Sequence, residues 1–154
     1  SLGSYLATDQ SHTDLRMESR ITDENIQTMD NITTLGGVIA EVDALEPNAW
    51  GRDEKVRCIS RLDGRLWDEH CRDRTGAPER RPMYGPDAPE DTALLCQHPY
   101  DGIYVYWLMA HIALYLGEND RYNDLMAKCE EAKAAFADSY AADHPKTGGT
   151  RFLF

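Results

Sequence analysis

From Ile103 to Leu116 the chain reads IYVYWLMAHIALYL, and every residue except His111 is apolar or aromatic. A helix that is apolar around its whole circumference is buried on all sides. The run is well short of the ~20 residues that cross a bilayer, so it reads as a buried core helix and no membrane span is expected. A chain of 154 residues has few elements with which to surround such a helix. Ile103, Trp107, Ala110 and Leu114 fall along one stripe, and Val105, Met109, Ile112 and Leu116 along another. One stripe can face the chain's own core. The other is left for an adjacent helix of the same chain or for a second copy, with Tyr100, Tyr104, Tyr106 and Tyr115 supplying the aromatic surface that interfaces favour.

The length fits one domain able to bury about two thirds of its unfolded surface. Hydrophobic residues make up 42% of the chain and charged ones 28%, the balance of a globular protein, but the net charge is −11. That balance argues against a protein that wraps nucleic acid, which needs Lys and Arg to neutralise phosphates. It is compatible with a wall that DNA slides past without specific binding. Cys58, Cys71, Cys96 and Cys129 are widely spaced with no C-x-x-C pair, so packed, reduced thiols are expected rather than a disulfide framework. The first residues show no basic stretch followed by an apolar run, which points to the cytoplasm or to a particle assembled there.

Residues 1–33 are polar and weakly patterned, and they read as an arm ordered only where something grips it. Thr22 with Asp23 and Glu24 could cap a short helix through Met29, and Met17 and Met29 offer alternative starts for the natural chain. The first clear helix spans Thr34 to Leu45, with Leu35, Val38, Ile39, Val42 and Leu45 as its stripe and Pro47 as its stop. A second runs from Asp53 to Cys71 on Val56, Ile59, Leu62, Leu66 and Trp67. Gly64 in its middle costs about 1 kcal/mol against Ala, and a close backbone contact is the usual reason to keep such a residue.

From Arg72 to Glu90, Gly76, Pro78, Pro82, Gly85, Pro86 and Pro89 exclude helix for most of a loop long enough to suggest a function. Leu94-Leu95 forms a short apolar island, either one helical turn or a brief extended piece. Pro99 then opens the central helix. Gly117 closes it as a C′ glycine, and Asn119 or Asp120 caps a last helix from Asp120 to Ala142, making an antiparallel pair. Tyr122, Leu125, Cys129, Ala132, Phe136 and Tyr140 line that helix, and Ala127, Ala134, Ala135 and Ala137 would permit a neighbour's close approach. Pro145 and Gly148-Gly149 end it ahead of an apolar tail that includes Phe152 and Phe154. The whole reads as an all-α bundle of about four helices with a long central loop, its domain covering residues 34–146.

No catalytic pattern stands out. His70-Cys71 and Cys96-Gln-His98 hold zinc-ligand types without the short paired spacing of structural sites, so a zinc-dependent enzyme is a reading to be weighed against ordinary packing. His111 reads as a core histidine bonded to a carbonyl or a tyrosine. Asp63, Asp68, Glu69, Asp87, Glu90 and Asp91 read as solvated helix faces and loop, and neither glycine pair is a phosphate loop. The chain is therefore expected to be no enzyme and to need no cofactor or metal. Its one basic cluster, Arg72, Arg74, Arg80 and Arg81, is either a solvated loop or a docking loop for an acidic partner surface or a DNA backbone.

Leu45-Glu-Pro-Asn48, Glu54-Lys55 and Leu62-Asp-Gly-Arg65 are followed by His98-Pro-Tyr100, by Tyr104 to Ala110, and by Gly117-Glu-x-x-Arg-Tyr-Asn123, running on to Phe136, Tyr140 and His144-Pro145. In this order they resemble a family of small prophage-encoded head–tail connector, or adaptor, proteins of tailed phages. The ordered combination over residues 34–146, rather than any one motif, carries the resemblance, and residues 1–33 depart from the family's pattern. It implies an all-helical, non-enzymatic virion subunit assembled in the bacterial host cytoplasm. Such a subunit joins a ring beneath the portal protein, meets a tail-completion protein and lets DNA through.

Self-association is then expected at Tyr104, Trp107, Met109 and Tyr115. Partner contacts are expected at Arg72, Arg74, Arg80, Arg81, Phe152 and Phe154. The alternative is a cytoplasmic helical protein-binding module or regulator.

Overall fold

A computed structural model describes residues 31–147. Those from Thr33 onward belong to one unit, and the expected helix at 22–29 and the tail at 150–154 lie outside the described residues. Four helices make up the described fold: α1 (Leu35–Leu45), α2 (Arg52–Leu66), α3 (Gly102–Tyr115) and α4 (Asn119–Asp143). There is no strand among the described residues, only two isolated bridges, Thr34 with Ala93 and Arg74 with Lys146. The fold is all-α.

The start of α1 pairs three of the four backbone donors that a helix N-terminus leaves open. Leu35 N–H donates to the Thr92 carbonyl and Gly36 N–H to the Glu90 carbonyl, each at 2.9 Å. Gly37 N–H donates to Thr34 Oγ1 at 3.1 Å, so Thr34 is the N-cap rather than the first helical residue. The central loop is therefore the cap of α1. Ala93 bridges to Thr34 in extended form, which settles the Leu94-Leu95 island as a brief extended piece. Gln97 completes the seam, accepting from Thr33 N–H and donating to the Thr33 carbonyl.

Between α1 and α2, Asn48 shapes the turn by donating to the Glu46 carbonyl and accepting from Trp50 N–H. Its amide also reaches Asp43, the carboxylate that pairs at 2.8 Å with the buried ammonium of Lys55. Beyond Leu66, α2 widens into one π-helical turn, Trp67–Cys71, in which Arg72 N–H reaches back five residues to the Trp67 carbonyl. Trp67 Nε1 donates to the Pro78 carbonyl, holding the first part of the loop against this turn.

Helix α3 starts at Gly102, later than Pro99 suggests; Pro99 precedes it in a turn and carries a cis peptide bond to His98. At its other end Gly117 (φ +79°) takes the left-handed conformation open to glycine. Glu118 N–H bonds to the Ala113 carbonyl and Gly117 N–H to that of Leu114, the paired bonds of a Schellman cap. Chain direction reverses there. Helix α4 then packs along α3, burying Leu125, Cys129 and Phe136.

This chain covers the first stripe of α3 at Ile103, Trp107 and Ala110; on the second only Ile112 is buried, with Val105 and Met109 half-buried, and in the last turn Leu114 and Leu116 emerge. The alanines of α4 do not play the expected part, since Ala127, Ala134 and Ala135 are exposed. The close approach is made from the other side, by Ala110 and Ala113 of α3 against Leu125. No helix among the described residues is long and apolar enough to cross a membrane.

Candidate functional site

The least expected group lies under the loop. Asp63 is fully buried rather than solvated, and it accepts three hydrogen bonds. Tyr104 O–H donates to Oδ1 at 2.6 Å, while Tyr84 O–H and Leu95 N–H donate to Oδ2 at 2.5 and 3.0 Å. The Tyr104 oxygen in turn accepts from Cys96 N–H at 2.7 Å. One carboxylate thus ties α2 to α3 and to two points of the loop. Burial pushes the Asp63 carboxyl up from its ordinary value, and the two hydroxyls and the amide oppose that rise. With both carboxylate oxygens hydrogen-bonded and the side chain fully buried, the group holds the loop backbone in place. Its helical spacing gave a signal, because Asp63 stands four residues after Ile59 and three before Leu66, on the apolar stripe itself.

This knot claims one of the residues expected at a subunit interface. Tyr104 is inside the fold with its hydroxyl committed at both ends, and Trp107 is buried with Nε1 donating to the Cys58 carbonyl at 2.9 Å. Their surface role is replaced by a core role. Met109 is half-buried beside Ala110, Ala113 and Leu125. Tyr115 does stand outside. It forms an apolar end to the bundle with Leu114, Leu116 and Leu45, which are 47%, 55% and 62% exposed against 59% for Tyr115. The Trp50 ring lies beside Tyr115 at 6.3 Å between centroids, and a Glu46–Arg121 ion pair ties α1 to α4 at the same end.

The arginines of the loop are not brought together. Arg74 donates to the Ala141 and His144 carbonyls, placing a cation at the C-terminus of α4, where the helix dipole favours it. Arg81 lies across α2 and clasps Asp68 through Nε and Nη2. Arg72 and Arg80 are exposed, and Phe152 and Phe154 lie outside the described residues. A different basic row is present instead. Arg57, Arg61 and Arg65, one helical turn apart on the outer face of α2, border the same groove as Arg81. Their 4-residue spacing was readable in the sequence.

No three metal-ligating side chains come together among the described residues. The four cysteines are free and buried, and burial pushes the thiols of Cys58 and Cys129 up to about 12. His111 is half-buried, its Nδ1 2.8 Å from the Trp107 carbonyl and its ring against Trp107. Against known proteins, the chain matches no family model, no curated protein and no solved structure.

Proposed function

We propose that this chain is a structural subunit that associates with further copies of itself and links a phage head to its tail. That is the connector class its ordered motifs resemble. The observation that carries the reading is the apolar end built from Leu45, Leu114, Tyr115 and Leu116. Adjacent large apolar side chains left in water mark interaction sites more often than chance. Because they come from one end of the bundle, they suit a heterologous contact with a different face of the next copy, the kind of contact that closes into rings. The portal and tail-completion proteins are the proposed axial partners, and the net charge of −11 suits a channel that must not hold DNA. A helical protein-binding module is the second reading, favoured by the arginine row on α2.

Native mass spectrometry and negative-stain imaging at several concentrations, alone and with the portal protein of the same genome, test the proposal. Rings are expected, alone or on the portal, and Leu45→Ser with Leu116→Ser, both at exposed positions, should abolish them with little change in Tm. A strict monomer that ignores the portal overturns it.

A further inference from the structure

The chain is acidic overall, yet one groove on it is basic. Arg57, Arg61, Arg65 and Arg81 rim a groove of about 810 Å³ whose only carboxylate is Asp68. Arg57, Arg61 and Arg65 follow one another at four-residue intervals, about 6 Å apart along α2. Arg57 is paired with Glu54 at 3.0 Å and Arg81 with Asp68 at 2.9 Å. Arg61 and Arg65 have no carboxylate partner among the described residues.

The groove owes its shape to two sequence features. Gly64 is buried under the Arg81 side chain, and a Cβ there would meet Arg81 Cδ at 3.3 Å and Cγ at 3.5 Å. The glycine lets the Arg81 stem lie flat along α2, with its guanidinium over the Trp67 ring at 5.9 Å. Beside the arginines the lining also includes Trp107, Pro82 and Met83, and Met83 is 81% exposed.

We infer that this groove binds an acidic peptide segment of another protein, one that carries carboxylates at roughly one-turn spacing beside an apolar side chain. Arg forks suit carboxylates bidentately, and the apolar residues beside them give the segment something to bury. The charges of Arg61 and Arg65, which no carboxylate among the described residues meets, are complementary to such a segment. A nucleic-acid backbone fits less well, because it carries no apolar side chain for Pro82 and the exposed Met83 to cover. This goes beyond the connector reading and holds equally for the alternative module.

The test is fluorescence anisotropy of a labelled helical peptide bearing Glu at every fourth position and Leu between, titrated with the full chain at low salt. A version with Gln for Glu, a duplex DNA of similar length, and sedimentation of the chain alone complete it. The acidic peptide should bind, with affinity falling as salt rises. The Gln version and the Arg61→Glu/Arg65→Glu double variant should each be weaker by about tenfold or more, the variant with unchanged Tm, while Arg72→Glu, on the loop outside the groove, binds as the wild type. Equal binding of the two peptides, no binding at all, or an undiminished double variant overturns the inference. Tighter binding of the DNA does so in favour of phosphate. A double variant that alters only the chain's own self-association does so in favour of a second copy.

Discussion

Tyr104→Phe removes one oxygen atom from a fully buried site and leaves no cavity, so its effect isolates the polar knot. Two bonds go with that oxygen. Cys96 N–H, 2.7 Å away, loses its acceptor, and Asp63 Oδ1 loses a donor at 2.6 Å. An orphaned buried amide costs about 1–3 kcal/mol and a hydrogen bond to a charged group contributes about 1.5–3 kcal/mol, so a loss of about 3 kcal/mol is expected. Domains of this size are stable by roughly 5–15 kcal/mol, so the variant should still fold. With a urea slope of about 1.5 kcal/mol per M, the midpoint should fall by about 2 M.

The deficit should also depend on pH. Asp63 titrates above its ordinary value in the folded state, so its contribution is fully present in acid and is lost as pH rises through the folded value. The Tyr104 hydroxyl opposes that rise, and removing it lifts the carboxyl further. The variant should therefore lose more relative to wild type as pH rises through the folded-state values of the two proteins. A midpoint shift under about 0.5 M, equivalent to less than about 1 kcal/mol, would refute the hydrogen-bond accounting. A deficit independent of pH would refute the role assigned to the carboxylate.

Gly36→Ala should destabilise by about 1–3 kcal/mol, because its Cβ would lie 2.8 Å from Glu90 Cβ and 2.9 Å from the Glu90 carbonyl oxygen. Faster exchange of the Leu35 and Gly36 amides would locate the damage at the α1–loop seam, and unchanged exchange and Tm would contradict it. Cys58 and Cys129 should resist thiol reagents at pH 8 in the folded chain, since burial holds both thiols near 12. All four cysteines should react after unfolding in urea; prompt reaction of the native protein would mean that the core opens.

The helices were legible because their apolar periodicity, caps and stops agree. Thr34, Pro47, Gly117 and the stripe of α4 each act locally, and local rules reach that far. What covers an apolar face is not local. Tyr104 and Trp107 look the same in sequence whether a neighbouring helix or a second subunit meets them, and the outcome depended on α1, α2 and α4 closing over α3. Asp63 was misread for a related reason. A carboxylate among helix polar residues defaults to solvent unless distant donors are known, and its donors come from positions 84, 95 and 104. The four alanines of α4 were read by composition alone, whereas the turn-by-turn position of Ala110 and Ala113 on α3 decided which helix supplied the small side chains.

The motifs that carry the family resemblance fall largely at joints. Asn48 shapes the α1–α2 turn, Lys55 pairs across it with Asp43, and Asp63 holds the loop. Gly64 admits Arg81, Gly117 reverses the chain, and Arg121 reaches Glu46. Substituting any of these would disturb folding and association together, so loss of assembly in such a variant would say little about partners. Other motif residues face outward, and two of them are informative. Leu45 belongs to the apolar end, and Arg65 to the arginine-rimmed groove. Neither has a structural partner whose loss would unfold the chain, since exposed positions away from such features change stability by about 0.5 kcal/mol or less. They are the places where the motif pattern can be altered without touching the fold, and hence where a partner-binding role separates from a structural one.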